Sequence, residues 1–148
     1  MFKPMAWAVL VAAALFPGAR AVIADSTRAG DFTIQYNAFT ADTLTPEIAK
    51  ANGIQRSKRL GVLNVSVINA VAGTTGTGVK ALVDVDLIDG KAGKGPLAMR
   101  EVEAQGAVSY LGQFPIADGQ ELEFEIRVRP TGAPTTTTLR LQQEFFTD

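Results

Sequence analysis

Among its 148 residues the chain has no cysteine and no histidine. The first absence excludes disulfides, thiolate nucleophiles and a lipid-modified cysteine. The second removes the commonest general base, the commonest metal ligand and every histidine-dependent serine triad. Aromatic residues make up only 7%, and the single tryptophan, Trp7, lies in the apolar run near the start. The Cys-Trp-Cys core of antibody domains is therefore missing. No later apolar run approaches the roughly 20 residues that a membrane-crossing helix needs. Charge of neither sign predominates, with 14 basic residues against 15 acidic ones. That balance argues against a dedicated nucleic-acid binder, whose footprint is strongly basic.

What is present begins with the layout of a secretory leader. Lys3 supplies a charged start, "AWAVLVAAALF" an apolar run, and Pro17-Gly18 a break before small residues. Cleavage fits after Ala21 or Ala24, with Ala24 preferred. Removing residues 1–24 takes away Lys3 and Arg20 and leaves 124 residues with 12 basic and 15 acidic side chains, a net charge of −3. One domain over residues 25–148 is the expectation, ample for one buried core.

Apolar residues then recur at every second position in short runs, the mark of strands with one buried face. The clearest is "QELEFEIRVRP", with Leu122, Phe124, Ile126 and Val128 on one side and Glu121, Glu123, Glu125, Arg127 and Arg129 on the other. Similar sets are Phe32, Ile34, Tyr36 and Ala38; Leu63, Val65 and Val67; and Val79, Ala81, Val83, Val85 and Leu87. Less regular runs cover "LAMREVEA" and "AVSYLGQF", and the last places Leu139, Leu141, Gln143 and Phe145 together. Turn-rich stretches such as "AGTTGTG", "DGKAGKGP", "PIADGQ" and "PTGAPT" separate them. The pattern predicts an all-β fold: an antiparallel, immunoglobulin-like β-sandwich of about seven strands, with a small closed barrel as the alternative.

One segment breaks the pattern. In "TPEIAKANGIQRSKRLG", Thr45 suits an N-cap, Pro46 the first helical position and Gly53 a left-handed stop. A helix of about two turns is predicted between the first two strands, too short to stand alone in water. Ile48 and Ile54 are the expected docking residues.

"YNAF", "LTPEIAKANGIQRSK", "VSYLGQFPI" and the terminal "FFTD" resemble the small exported bacterial proteins grouped as domain of unknown function 4426. The resemblance spans Gly30 to Asp148. It implies a periplasmic protein of proteobacteria, with no established activity, no catalytic residues to carry over and no known cofactor.

Arg56, Lys58 and Arg59 form a basic cluster that could hold an anionic group or an acidic partner by charge-assisted hydrogen bonds. The plain alternative is a solvated loop whose charge guards a strand end. Asp84, Asp86 and Asp89 invite a hard cation, but their spacing departs from a calcium loop and fits a wet sheet face ending in an Asp-Gly turn. "GTTGTGVK" lacks the Lys directly after its last Gly and the following helix that a phosphate loop requires. Glu121, Glu123 and Glu125 read as a solubilising face. Phe145 and Phe146 are neighbours in one strand, so they point to opposite faces, and Phe146 becomes a candidate contact residue.

No catalytic residue, metal site or cofactor is expected. The functional expectation is an exported, non-catalytic periplasmic binding or protein-interaction module. Its partner would be another envelope protein or an anionic ligand, met through Arg56, Lys58, Arg59 and Phe146. The alternatives are an enzyme of carboxylate- or lysine-based chemistry and a structural envelope component.

Overall fold

The computed structural model describes residues 25–69, 76–104 and 106–147. The expected leader, residues 1–24, lies outside them, as does Gly73 of the phosphate-loop-like stretch. The described strands are β1 (Asp25–Ala29), β2 (Phe32–Thr40), β3 (Leu60–Asn69), β4 (Thr77–Gly78), β5 (Ala81–Asp89), β6 (Gly93–Leu97), β7 (Arg100–Ala104), β8 (Ala107–Pro115), β9 (Gln120–Pro130) and β10 (Thr137–Phe145). A 3₁₀ turn (Ala41–Thr43) and one short helix, α1 (Pro46–Ala51), join β2 to β3.

All strand pairs are antiparallel. One sheet runs β1-β2-β3-β8-β7, with β4 also on β3; the other runs β10-β9-β5-β6. Two open sheets make a sandwich, not a closed barrel. Strands number ten where the alternation predicted about seven, and the additions have a common cause. β1 is polar, β4 has two residues, and β6 is "GKGPL" inside a stretch predicted to be a turn. Edge strands need no apolar alternation, and Pro96 is tolerated because an edge N–H has no ladder partner to lose. With β1 in front, α1 lies between the second and third strands.

The predicted inner face of β9 is the centre of the core. Phe124, Ile126 and Val128 are fully buried and Leu122 nearly so, facing Ile34, Leu63, Val65 and Val67 of the opposite sheet. Burying each such side chain contributes about 1.5–3 kcal/mol. Phe114 of β8 ties the layers, its ring 5.1 Å from that of Phe124 and 5.5 Å from that of Phe145, in tilted and edge-on geometry. That ring lies over Gly61, its cross-strand partner, and a Cβ there would collide with it.

The "LAMREVEA" run proves to be two strands. Leu97 ends β6 in one sheet and Arg100 opens β7 in the other. The crossing residues press on β8: a Cβ at Gly112 would lie 2.6 Å from Met99 Sδ and 2.9 Å from the Ala98 carbonyl. Gly112 is the gap through which the chain changes sheets.

Candidate binding surface at the helix end of the sandwich

Helix α1 starts and stops as its sequence dictates. Thr45 Oγ1 accepts the Ile48 N–H at 3.2 Å, Pro46 occupies the first position, and Gly53 takes φ +66°. The expected docking residues are half right. Ile54 is buried, but Ile48 is 50% exposed, and Ala49 takes its place against the sheet. Neighbouring residues of a helix diverge by about 100°, so Ile48 and Ala49 cannot both face the sheet, and the small side chain allows the closer approach. Ala41, Ala49 and Ile54 pack on Val62 and Leu111, forming a second apolar cluster on the outer side of the six-stranded sheet. This explains why Val62 and Leu63 are both buried although they point to opposite faces.

An arginine from far along the chain locks the helix in place. The Arg100 guanidinium donates to the Asn52 and Gly53 carbonyls at 2.5 and 2.9 Å. Cations are favoured at a helix C-terminus, where carbonyls lack partners. Nothing in the local sequence of Arg100 announces this role.

The basic cluster divides. Arg56 donates to the carbonyls of Leu44 (2.8 Å) and Asp42 (3.3 Å) and so staples the connection between β2 and β3. Lys58 and Arg59 are exposed, and their side chains have no hydrogen-bond or ionic partner among the described residues. The backbone of Arg59 is anchored, its carbonyl accepting the Ile116 N–H at 2.9 Å.

Phe146 belongs to the same region. Phe145 is buried and Phe146 is 49% exposed, as the alternation required. The Phe145 carbonyl accepts the Gly119 N–H at 2.8 Å, and Asp118 Oδ1 accepts the Thr147 N–H at 3.0 Å. The segment between β8 and β9 is therefore tied to the Arg59 backbone at Ile116 and to the two neighbours of Phe146 at Asp118 and Gly119. Beside it lies an open depression of about 560 Å³ lined by Asp89, Lys91, Asp118, Gln120 and Glu123. Three of its carboxylates have structural partners: Asp89 accepts from the Lys91 backbone (3.0 Å) and from Gln120 (2.9 Å), Asp118 from the Thr147 backbone, and Glu123 pairs with Arg140, whereas Glu121, also on its wall, has no such partner among the described residues.

The aspartates of β5 serve an ion-pair lattice on the outer face of the four-stranded sheet. Arg127 bridges Asp84 (2.8 Å), Asp86 (3.1 Å) and Glu125 (2.9 Å), and Lys94 reaches Asp86 and Glu125. Hydrogen bonding to Asp84 is the main reason the Arg127 guanidinium is held above its ordinary range. Among the described residues no group of three or more acidic side chains is placed to hold a metal ion.

At the opposite end, a depression of about 590 Å³ is lined by Lys80, Leu82, Glu101 and Arg129. Lys80 pairs with Glu103 at 3.1 Å and Glu101 at 3.5 Å. Its ammonium is raised above the ordinary lysine value chiefly by the hydrogen bond to Glu103, then by the charge of Glu101. Tyr110 donates to Glu101 at 2.9 Å, the largest cause of the lowered Glu101 carboxyl. Burial is the main reason the phenol itself is raised. Each titratable group lining this depression has a hydrogen-bond or ionic partner.

Compared with known proteins, residues 26–148 match the family model described as Domain of unknown function (DUF4426). A crystal structure of a DUF4426 family protein from Pseudomonas aeruginosa PAO1 is similar at 35% identity, covering 84% of this chain and 96% of that one, with a TM-score of 0.70. Two structures of FetP from uropathogenic Escherichia coli strain F11 share the fold. A copper-bound variant has 10% identity, a TM-score of 0.55 and coverage of 82% and 93%. The as-isolated protein, recombinantly expressed in the periplasm of Escherichia coli BL21(DE3), has 12%, 0.50, and 82% and 91%. A search of curated proteins finds no match.

Proposed function

The chain belongs to the DUF4426 family, and from that premise we propose that it is a non-catalytic periplasmic module that binds an acidic envelope partner at the helix end of the sandwich. The observation that carries this reading is the exposed pair Lys58 and Arg59, whose side chains have no partner among the described residues and of which Arg59 is tied by its backbone to the β8–β9 segment, with half-exposed Phe146 beside the other end of that segment. Exposed charge beside an exposed aromatic group on an anchored backbone is an interface composition: aromatic and guanidinium groups supply contact energy, and charge supplies steering. Arg56 contributes by holding the loop, not by contact.

The periplasmic setting is supported by the leader-like start of the sequence and by the fold shared with FetP, which was expressed in that compartment. No described helix is long and apolar enough to cross a membrane. The copper bound to the FetP variant does not fit this chain. Copper favours imidazole, thiolate and thioether ligands; histidine and cysteine are absent throughout, and Met99 is the one methionine among the described residues. The enzymatic alternative would need convergent free carboxylates or a lysine freed from its partners. Asp89, Asp118 and Glu123 of the first depression and Lys80 of the second are held in ion pairs or hydrogen bonds, which leaves Glu121 as a lone carboxylate without a second one converging on it.

A photo-crosslinking residue at position 146, used in the periplasm and read by mass spectrometry, tests the proposal. The expected result is a discrete adduct that is lost in a folded Lys58→Ala/Arg59→Ala variant. Absence of any adduct, or an adduct indifferent to both cations, overturns it.

A further inference from the structure

Strand β10 is an edge whose design differs from the others. It pairs with β9 through nine consecutive residues without a bulge, so its outer side offers a straight row of backbone donors and acceptors about 30 Å long. Proteins usually blunt such edges with proline, lysine, bulges or shortness. The other edge of the same sheet, β6, has five residues that include Lys94, Pro96 and two glycines. β1 and β7 are also five residues long, and β7 carries Arg100, Glu101 and Glu103. β10, "TTLRLQQEF", is long and has no proline, lysine, glycine or bulge; its only charges are Arg140 and Glu144.

Its charges are arranged about a centre. On the exposed side, Arg140 and Glu144 flank Gln142 at equal distances. Inside one molecule their surroundings are unequal. Arg140 is paired with Glu123 and Glu125 of β9. Glu144 lies directly opposite Glu121, both on the outer face, and neither meets a cation among the described residues. Like charges directly across a ladder are destabilising.

We infer that β10 pairs antiparallel with β10 of a second copy of this chain about a two-fold axis through Gln142, joining two four-stranded sheets into one of eight strands. Residues opposite each other in antiparallel strands share a face, so only whole two-residue steps of register keep the apolar side inward. With Gln142 on the axis, Arg140 meets Glu144 of the second copy, and the reverse pair repeats across the axis. Leu139 then meets Phe145, and Leu141 meets Gln143. An axis through Arg140 would set two guanidinium groups face to face. An axis through Leu141 or Gln143 would place Gln142 opposite Arg140 or Glu144 and leave the Arg140–Glu144 match unmade. The Gln142 register is thus the one among these that forms two ion pairs and supplies a cation to each Glu121–Glu144 repulsion. The interface is isologous and self-limiting, because two-fold pairing consumes both free edges. Lys58 and Arg59 lie outside it, whereas Phe146, which directly follows β10, comes opposite Thr138 of the second copy at the end of the paired strands.

The absence of cysteine makes the register directly readable. In the purified protein a Gln142→Cys variant should form an interchain disulfide under air, since each position 142 faces itself. A Thr138→Cys variant should not, because the two positions 138 would be about 27 Å apart. Light scattering should give a dimer, and Glu144→Arg should raise its dissociation constant at least about tenfold. That variant removes the Glu121 repulsion within each copy, so its melting temperature at low concentration should hold or rise, which separates lost association from lost folding. A chain that remains monomeric up to about 1 mM, a Thr138→Cys variant that crosslinks in place of Gln142→Cys, or a Glu144→Arg variant that dimerises as before would each overturn the inference.

Discussion

The Tyr110 hydroxyl in β8 accepts the backbone N–H of Ala81 at 2.8 Å, where β5 of the other sheet begins. The same hydroxyl donates to Glu101 of the adjacent strand at 2.9 Å. One side chain thereby fixes the spacing of the layers at the end away from the helix. It also gives a partner to the backbone N–H that opens β5.

Tyr110→Phe keeps the ring and removes both bonds. Leaving a part-buried N–H without an acceptor should lower stability by about 1–3 kcal/mol, measured by urea unfolding; an unchanged midpoint would contradict the bridge. The pH dependence follows from the directions of the shifts. Glu101 is lowered, so its contribution is present above the ordinary carboxylate range and lost as pH falls through the folded value. Tyr110 and Lys80 are raised, so theirs is complete below about pH 10 and lost as pH rises through the folded values. The alkaline fall in melting temperature should therefore be shallower in Tyr110→Phe than in the parent protein.

Two glycines give opposite outcomes. At Gly112 an added methyl group meets Met99 Sδ and the Ala98 carbonyl at 2.6 and 2.9 Å, and the backbone atom cannot step aside. Gly112→Ala should cost about 1–3 kcal/mol as an overpacking change. At Gly95, on edge strand β6, nothing lies within 4 Å and φ is not in the left-handed region. Gly95→Ala should be neutral or stabilising by up to about 1 kcal/mol, because it restricts the unfolded chain. Thermal unfolding of the pair checks the sheet-changing crossover, and equal effects would refute it.

Adjacent phenylalanines should also separate. Phe145 is 2% exposed with its ring edge-on to Phe114. Phe145→Ala should lose about 3–5 kcal/mol. Phe146→Ala, at a half-exposed site, should stay within about 0.5 kcal/mol in the isolated chain while weakening partner capture. A large loss of stability in Phe146→Ala would mean that this ring belongs to the core.

Much of the fold is legible in the amino-acid order. Alternation with period two assigns a side chain to a face without knowledge of what covers that face, which is why Leu122, Phe124, Ile126 and Val128 are predicted as core and are buried. Helix α1 is equally legible, because Thr45, Pro46 and Gly53 act on neighbours within a few residues. The edge strands β1, β4 and β6 are not, since backbone pairing at an edge makes no demand on side-chain pattern.

The amino-acid order by itself determined which residues face inward, where the helix begins and ends, and which chemistries lack their reactive groups. Tertiary structure alone decided that Ala49 rather than Ile48 meets the sheet, that Arg56 is consumed as a staple while Lys58 and Arg59 have no side-chain partner among the described residues, and that Arg59 and the neighbours of Phe146 are tied to one connecting segment. The physical reason is separation along the chain. Arg100 holds carbonyls 47 and 48 residues away, and contacts across such intervals arise from how the two sheets stack, which no local pattern of residues encodes.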